Sequence, residues 1–172
     1  MTTDKLNEWW DQYNLAGKIV GQQQRRDHVP TGLYHLVVNA FIFDGQGHVL
    51  LQQRSLQKLN HPGAWDCSAD GSVLKGETAP AAIQREVDEE LGLSDFVQMA
   101  QVSTFRGQDW LECWYGIIAD FNVADVKRQT SDVAQVALMT VTTAQNQLRT
   151  HGIDGVAQQL VIAHDWLTDN LD

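Results

Sequence analysis

From Thr78 to Leu91, apolar residues stand at Ala79, Ile83, Val87 and Leu91, one every fourth position. That spacing predicts a helix with a single stripe to bury. Thr78 suits its cap, Pro80 its first turn, and Gly92 a stop directly after its last residue. A helix apolar on one side needs a surface to lie on, and β-rich runs supply it. Tyr34–Phe43 and Val49–Arg54 read as strands joined by the turn Asp44-Gly45-Gln46-Gly47, and Trp65–Ala69 as a short strand. Phe96–Phe105, Cys113–Phe121 and Val133–Val141 are further strands. Glu8–Tyr13 and Lys18–Gln23 flank a turn-like tetrad and predict a hairpin over about residues 8–23, followed by a polar loop to Gly32. Thr142 or Thr143 is expected to cap a short helix from Ala144 to Arg149, and Gly155–Leu167 reads as a terminal amphipathic helix. With 172 residues, no linker and no repeat, the chain is expected to form one α+β domain over 1–172 around a central mixed sheet.

Charge narrows the partners. Twelve Lys and Arg stand against twenty-two Asp and Glu, a formal net charge of −10, which speaks against binding a nucleic-acid polymer through its backbone. Two cysteines, Cys67 and Cys113, are too few for a disulfide framework and lack zinc-site spacing. No run is long and apolar enough to span a membrane, and Met1–Trp10 lacks the apolar run of a signal peptide, so a cytoplasmic domain is expected.

Glu86, Glu89 and Glu90 lie at i, i+3 and i+4, which turns three carboxylates to one side of the helix, next to its apolar stripe. Asp88 points elsewhere, and Glu77 precedes the helix near Gly71 and Gly76. A solvated acidic face balanced by Arg85 is one reading. A site for a hard cation is the other, because Mg²⁺ prefers oxygen ligands and a few carboxylates on a rigid helix suit it.

The run Gly71-x5-Glu77-x7-Arg85-Glu86-Val87-x-Glu89-Glu90-x-Gly92-Leu93 resembles the complete Nudix box, G-x5-E-x7-R-E-U-x-E-E-x-G-U with U aliphatic, over residues 71–93. Seven fixed residues at roughly 6% each, plus two aliphatic positions, match by chance in about one such chain in 10⁷ or fewer. The flanks Tyr34–Val38, Val49–Ser55 and Pro62–Asp66 are similar to Nudix proteins of the isopentenyl-diphosphate-isomerase-like branch, and the resemblance covers roughly residues 8–140.

The resemblance implies an α/β/α sandwich with the box helix on the sheet, and hydrolysis of a diphosphate linkage in a nucleoside diphosphate derivative or related small phosphorylated compound. It implies Mg²⁺, with Mn²⁺ able to substitute. Carried onto this chain, Glu86, Glu89 and Glu90 are metal ligands, the Gly71 carbonyl is a further one, and Glu77 is an outer or occasional ligand. Arg85 then orients Glu77 or Glu89 and does not touch the substrate, as a fixed guanidinium beside carboxylates would. Glu89 is the first candidate for general base, with Glu112 and Asp132 as distal alternatives. Arg54 and Lys58 are candidate phosphate contacts, Arg25, Arg26 and His28 could reach the site from their loop, and Trp9, Trp10 or Trp110 could stack on a base. Many family members pair as homodimers.

The competing function is isopentenyl-diphosphate isomerisation, and two departures count against it. Isomerases of this branch carry W-x-N-S-x-C-G-H-P before the box glutamate, whereas this chain reads Trp65-Asp66-Cys67-Ser68-Ala69-Asp70-Gly71-Ser72-Val73. Asp70 stands at the cysteine position and Ser72 at the histidine position. His28, His35 and Glu112 have counterparts in the isomerase metal set, but Trp110 stands where another glutamate is expected. Cys67 is three residues early, an odd offset that turns it to the other face of a strand, where it reads as a small buried residue.

Overall fold

The computed structural model describes residues 1–171. Strands β1 (Trp9–Tyr13) and β2 (Ile19–Gln24) form an antiparallel hairpin with Trp9 opposite Gln24. β3 (His35–Phe43) follows and lies inside a seven-stranded mixed sheet with β4 (Val49–Arg54), β5 (Trp65–Asp66), β6 (Ala69–Ser72), β7 (Phe96–Arg106), β8 (Trp110–Ala119) and β9 (Val133–Met139). The order is β5-β4-β3-β8-β7, with β6 paired to β3 and β9 to β4. β3 and β8 run parallel, and the other neighbours are antiparallel.

β3 has near-continuous apolar character because both of its faces are covered. Val38, Ala40 and Ile42 face α1 (Ala79–Leu91), whose Ala82, Ile83, Val87 and Leu91 are fully buried against them. Phe41 and Phe43 face α2 (Val141–His151) and α3 (Val156–Asn170) through Ala144, Leu148, Leu160, Ala163 and Leu167. Helices thus cover both faces, giving the expected α/β/α sandwich. Burying each large α1 side chain contributes about 1.5–3 kcal/mol, which anchors the helix from one side only and leaves its acidic side free to line a site. The ends of α1 are as expected. Thr78 Oγ1 accepts from the Ala81 N–H, and Gly92 takes a left-handed φ of 67° while donating to the Asp88 carbonyl.

Two local expectations change. The single strand over Trp65–Ala69 is two strands, because the chain changes partner: Asp66 pairs with Gln52 of β4 and Asp70 with Asn39 of β3. Buried Ser68 occupies the crossing, where its hydroxyl accepts from the Ile42 N–H and donates to the Leu50 carbonyl. β6 therefore carries Asp70, Gly71 and Ser72 into the middle of the sheet. The second change is at α2, which starts at Val141 with Thr140 as its cap; Thr140 Oγ1 accepts from the Thr143 N–H at 3.3 Å. Three threonines among four residues left the choice of cap open to sequence pattern alone. Cys67 is fully buried, as expected. No helix is long and apolar enough to cross a membrane.

The α2 cap gives a direct check. Thr140→Ala should lower stability by about 0.5–2 kcal/mol in denaturant unfolding, while Thr142→Ala should stay within about 0.5 kcal/mol of wild type.

Candidate active site

The site forms where β6, the following loop and α1 meet. Arg85 ties the three together. Its Nε and Nη2 donate to the two oxygens of Glu77 at 2.8 and 2.9 Å, Nη1 to Glu86 Oε1 at 2.7 Å, and Nη2 to the Ser72 carbonyl at 3.1 Å. Glu89 Oε2 lies 3.5 Å from Nη1. This bidentate fork fixes the loop carboxylate and one helix carboxylate in a single plane of donors. Burial opposes the charge of Glu77, but the Arg85 and Leu74 N–H donors outweigh it and hold that carboxyl below its ordinary range.

Glu86 extends over Gly71. A Cβ on residue 71 would collide with the Glu86 carboxyl, so glycine is required for this close approach. Glu90 is 6% exposed, and its Oε2 accepts from Gln52 Nε2 at 3.2 Å and the Asp70 N–H at 3.3 Å. Glu89 is the most exposed of the three, with 39% of its side chain accessible at the rim. Burial raises Glu86 to about 7; Asp70 and Glu89 add to that, and Arg85 opposes it. Burial, then Asp70 and Glu86, push Glu90 well above the carboxylate range.

A cleft of about 300 Å³ brings together Gly71, Glu86, Glu89, Glu90, Asp132, Arg54 and Lys58. The two candidate phosphate contacts are already tied to acids. Arg54 Nη1 donates to Asp66 at 3.1 Å and to both oxygens of Asp70 at 3.1 and 3.0 Å, and Nε donates to the Asn60 carbonyl. Lys58 Nζ lies 3.1 Å from both Asp4 and Asp132. A buried cation keeps its charge only beside such partners. The Arg54 cluster is unequal. The guanidinium is held charged chiefly by Asp70, whereas burial and Asp70 raise Asp66 to about 7, since one guanidinium shared by two acids returns less to Asp66 than burial takes away.

Glu112 lies elsewhere, on β8 in a neighbouring cleft of about 1050 Å³ that shares Trp10, His35, Val37, Arg54 and Asp70 with the first. Trp110 Nε1 donates to its Oε1 at 2.7 Å and Trp114 Nε1 to its Oε2 at 2.6 Å. Of the candidate stacking residues, Trp10 is buried and stacks on His35, Trp110 lines the larger cleft, and Trp9 lines neither. Arg25 lines both clefts but pairs with Asp4 and Glu8, Arg26 bonds Asn7, and His28 lines the larger cleft. Sequence reasoning gave no site role to Asp66, Asp70 or Gln52. Asp70, adjoining the box glycine, was the one with a readable signal.

A hard cation suits this donor set. The groups around Gly71 are oxygen donors, and the three helix glutamates together with Asp70, when ionised, carry more negative charge than Arg85 and Arg54 offset. Among the described residues no three His, Cys, Asp or Glu side chains converge as a ready ligand cage. Glu86 is bonded to Arg85, and Glu90 to Gln52 and the Asp70 N–H.

The family model for the NUDIX domain matches residues 33–159. The chain belongs to the Nudix hydrolase family. An uncharacterized Nudix hydrolase of Listeria innocua is 35% identical over 135 residues, spanning 77% of this chain and 80% of its own. An isopentenyl-diphosphate Delta-isomerase of Serratia proteamaculans is 40% identical, but over 89 residues, 52% of this chain and 49% of the isomerase. A Deinococcus radiodurans protein of known crystal structure superposes with a TM-score of 0.76 at 25% identity, covering 90% of this chain and 98% of that one. The family match begins after the hairpin and runs through α2 into α3, beyond the residue-140 limit of the motif resemblance.

The raised carboxyls make a prediction for the metal-free Nudix domain. Glu86 and Asp66 titrate near 7 when folded and near the ordinary carboxylate values when unfolded. The folded state then holds protons that the unfolded state has released, so their stabilisation is lost as pH rises through the folded values. With a chelator present, the melting temperature should fall from about pH 5 to about pH 7.5, and Glu90→Gln should raise it at the upper end. A melting temperature that rises across this window would contradict the assignment.

Proposed function

We propose that the chain is a single-domain, cytoplasmic, Mg²⁺-dependent Nudix hydrolase, for which Mn²⁺ can substitute, that cleaves a diphosphate linkage in a nucleoside diphosphate derivative or related small phosphorylated compound. The observation that carries this reading is the arrangement about Gly71. Glu86 crosses the glycine, Glu90 is buried beneath, and Glu89 stands at the rim of the same cleft. In this reading Glu86, Glu89, Glu90 and the Gly71 carbonyl hold the ion, and Glu77 acts from outside through Arg85. When bound, the ion would supply positive charge against the diphosphate and lower the pKa of a water molecule.

The remaining roles belong to the chain. Glu89 accepts the proton of the attacking water, as the box carboxylate with most access to solvent. Asp132 is the weaker choice because Lys58 and Thr3 already donate to it, and Glu112 because it lines the other cleft, apart from the helix carboxylates. Arg54 holds Asp70 and so keeps the strand beside Glu90 in place. Lys58, at the wall of the cleft, is the cation nearest to serving a phosphate, which it would reach by exchanging one carboxylate partner for another anion. A homodimer is compatible with this reading.

Two observations disfavour the isomerase alternative. Asp70, at the isomerase cysteine position, is engaged by Arg54, and the Cys67 thiol is fully buried, donates to the Ala69 carbonyl, and is pushed far above its ordinary pKa by burial and then by Asp66. A thiol with no exposed surface cannot reach a substrate carbon to exchange a proton with it.

Phosphate or diphosphate release from a panel of nucleoside diphosphate derivatives, with Mg²⁺ and with chelator, tests the reading. Activity should require the metal, and Glu89→Gln should lower kcat by about 10² or more. If Glu89→Gln stays near wild type while Asp132→Asn is inactive, the base is Asp132. In a separate assay, incubation with isopentenyl diphosphate and Mg²⁺ should give no dimethylallyl diphosphate, and Cys67→Ala should retain hydrolysis.

A further inference from the structure

The larger cleft has a character that the box chemistry does not explain. It adjoins the first cleft at Asp70 and Arg54, which line both. Trp110, Glu112 and Trp114 alternate along β8 and all line this cleft. The two indoles hold the Glu112 carboxylate from both sides, and Trp114 is itself fixed by stacking on Phe41 at 5.7 Å between ring centroids. Glu112 remains partly exposed. An acid fixed this way, between neutral donors and aromatic faces, is preorganised for a ligand.

Charge indicates what that ligand presents. Glu112, Asp109 and Asp154 line the cleft, and none of them forms an ion pair with a basic side chain among the described residues. Of the two arginines on the wall, Arg25 is committed to Asp4 and Glu8, and Arg54 to Asp66 and Asp70. A second phosphate would meet repulsion in this cleft. A group with N–H donors would meet an acceptor, and a flat one would meet indole faces.

Asn39 gives an independent indication. It lies beside Trp114 in the β3–β8 ladder, is 7% exposed, lines the same cleft, and its Nδ2 has no hydrogen-bond partner among the described residues. A buried amide N–H without a partner costs stability, which a ligand acceptor placed against it would recover. An amide both donates and accepts, so it suits a ring edge that alternates donor and acceptor atoms.

We propose that the larger cleft selects substrates whose group beyond the diphosphate carries N–H donors, an amino-substituted planar ring in particular, and that Glu112 and Asn39 determine that specificity. This rests on the proposed hydrolase reading for the placement of the diphosphate. An alkylammonium head shares the donor chemistry but offers Asn39 no acceptor edge, and so it should bind more weakly than the ring.

Binding is measured by quenching of tryptophan fluorescence in the full chain with chelator present, so the result does not depend on catalysis or metal loading. Adenosine monophosphate and inosine monophosphate differ at the exocyclic amino group and its ring edge; phosphoethanolamine serves as the alkylammonium probe. The amino nucleotide should bind about tenfold or more tighter than the keto nucleotide, with phosphoethanolamine weaker than the amino nucleotide. Glu112→Gln should bring the amino-to-keto ratio close to one. Asn39→Leu should weaken the amino nucleotide while leaving the melting temperature unchanged or higher, a combination that misfolding cannot produce. Equal or tighter binding of the keto nucleotide by wild type, a ratio unmoved by both variants, or phosphoethanolamine as the tightest ligand would overturn the proposal. Selective binding without hydrolysis of any derivative would instead count against the hydrolase reading alone.

Discussion

The active corner of this Nudix domain depends on the Arg85 guanidinium. It contacts β6 at Ser72, the loop at Glu77 and its own helix at Glu86. Three consecutive segments meet there, and each brings polar atoms that burial would otherwise penalise. The planar fork answers them together, which a lysine ammonium could not do with the same geometry. The apolar stripe of α1 supports the arrangement from behind. Ile83, Val87 and Leu91 hold the helix on the sheet strongly enough to offset the repulsion among Glu86, Glu89 and Glu90, which is a few tenths of a kcal/mol per exposed pair and larger where burial removes water.

Burial gives the same carboxylates their chemical bias. Glu90 sits under the helix against Gln52 and the Asp70 N–H, and Glu86 is pressed over a glycine that exists to admit it. Arg54 then pairs with Asp66 and Asp70, which Arg85 does not reach. The outcome is a region where ionised carboxylates would outnumber the local cations, and where the folded chain relieves the excess by holding protons. Asp70 links the two clusters, bonded to Arg54 through its side chain and to Glu90 through its backbone. An acid so engaged, at the position of the isomerase cysteine, fits hydrolysis better than proton transfer at carbon.

The parts of this structure legible in the sequence are those with a local period or a fixed spacing. The α1 stripe, its Thr78 and Gly92 ends, the β3 and β4 runs and the box itself all have local signatures. The split between β5 and β6 does not, because it is set by Ser68 bonding two strands that lie far from it in the chain. The Thr140 cap was hidden by Thr142 and Thr143, which are equally good capping residues. At the site, sequence placed the box glutamates together but could not tell that Arg54 and Lys58 are paired with Asp66, Asp70, Asp4 and Asp132. It also could not tell that Glu112 faces a different cleft from Glu89. Those facts arise from which strand lies next to which, and β3 beside β8 is a parallel pairing between segments separated by the whole box.

The central claim is that the surplus negative charge around Gly71 is a divalent-cation site. Calorimetric titration of the metal-free protein with Mg²⁺ and then Mn²⁺ tests it without reference to any substrate. The account predicts saturable binding of either ion with release of protons near neutral pH, greatly weakened in Glu90→Gln. Absence of saturable binding, or binding unchanged in Glu90→Gln, would contradict it.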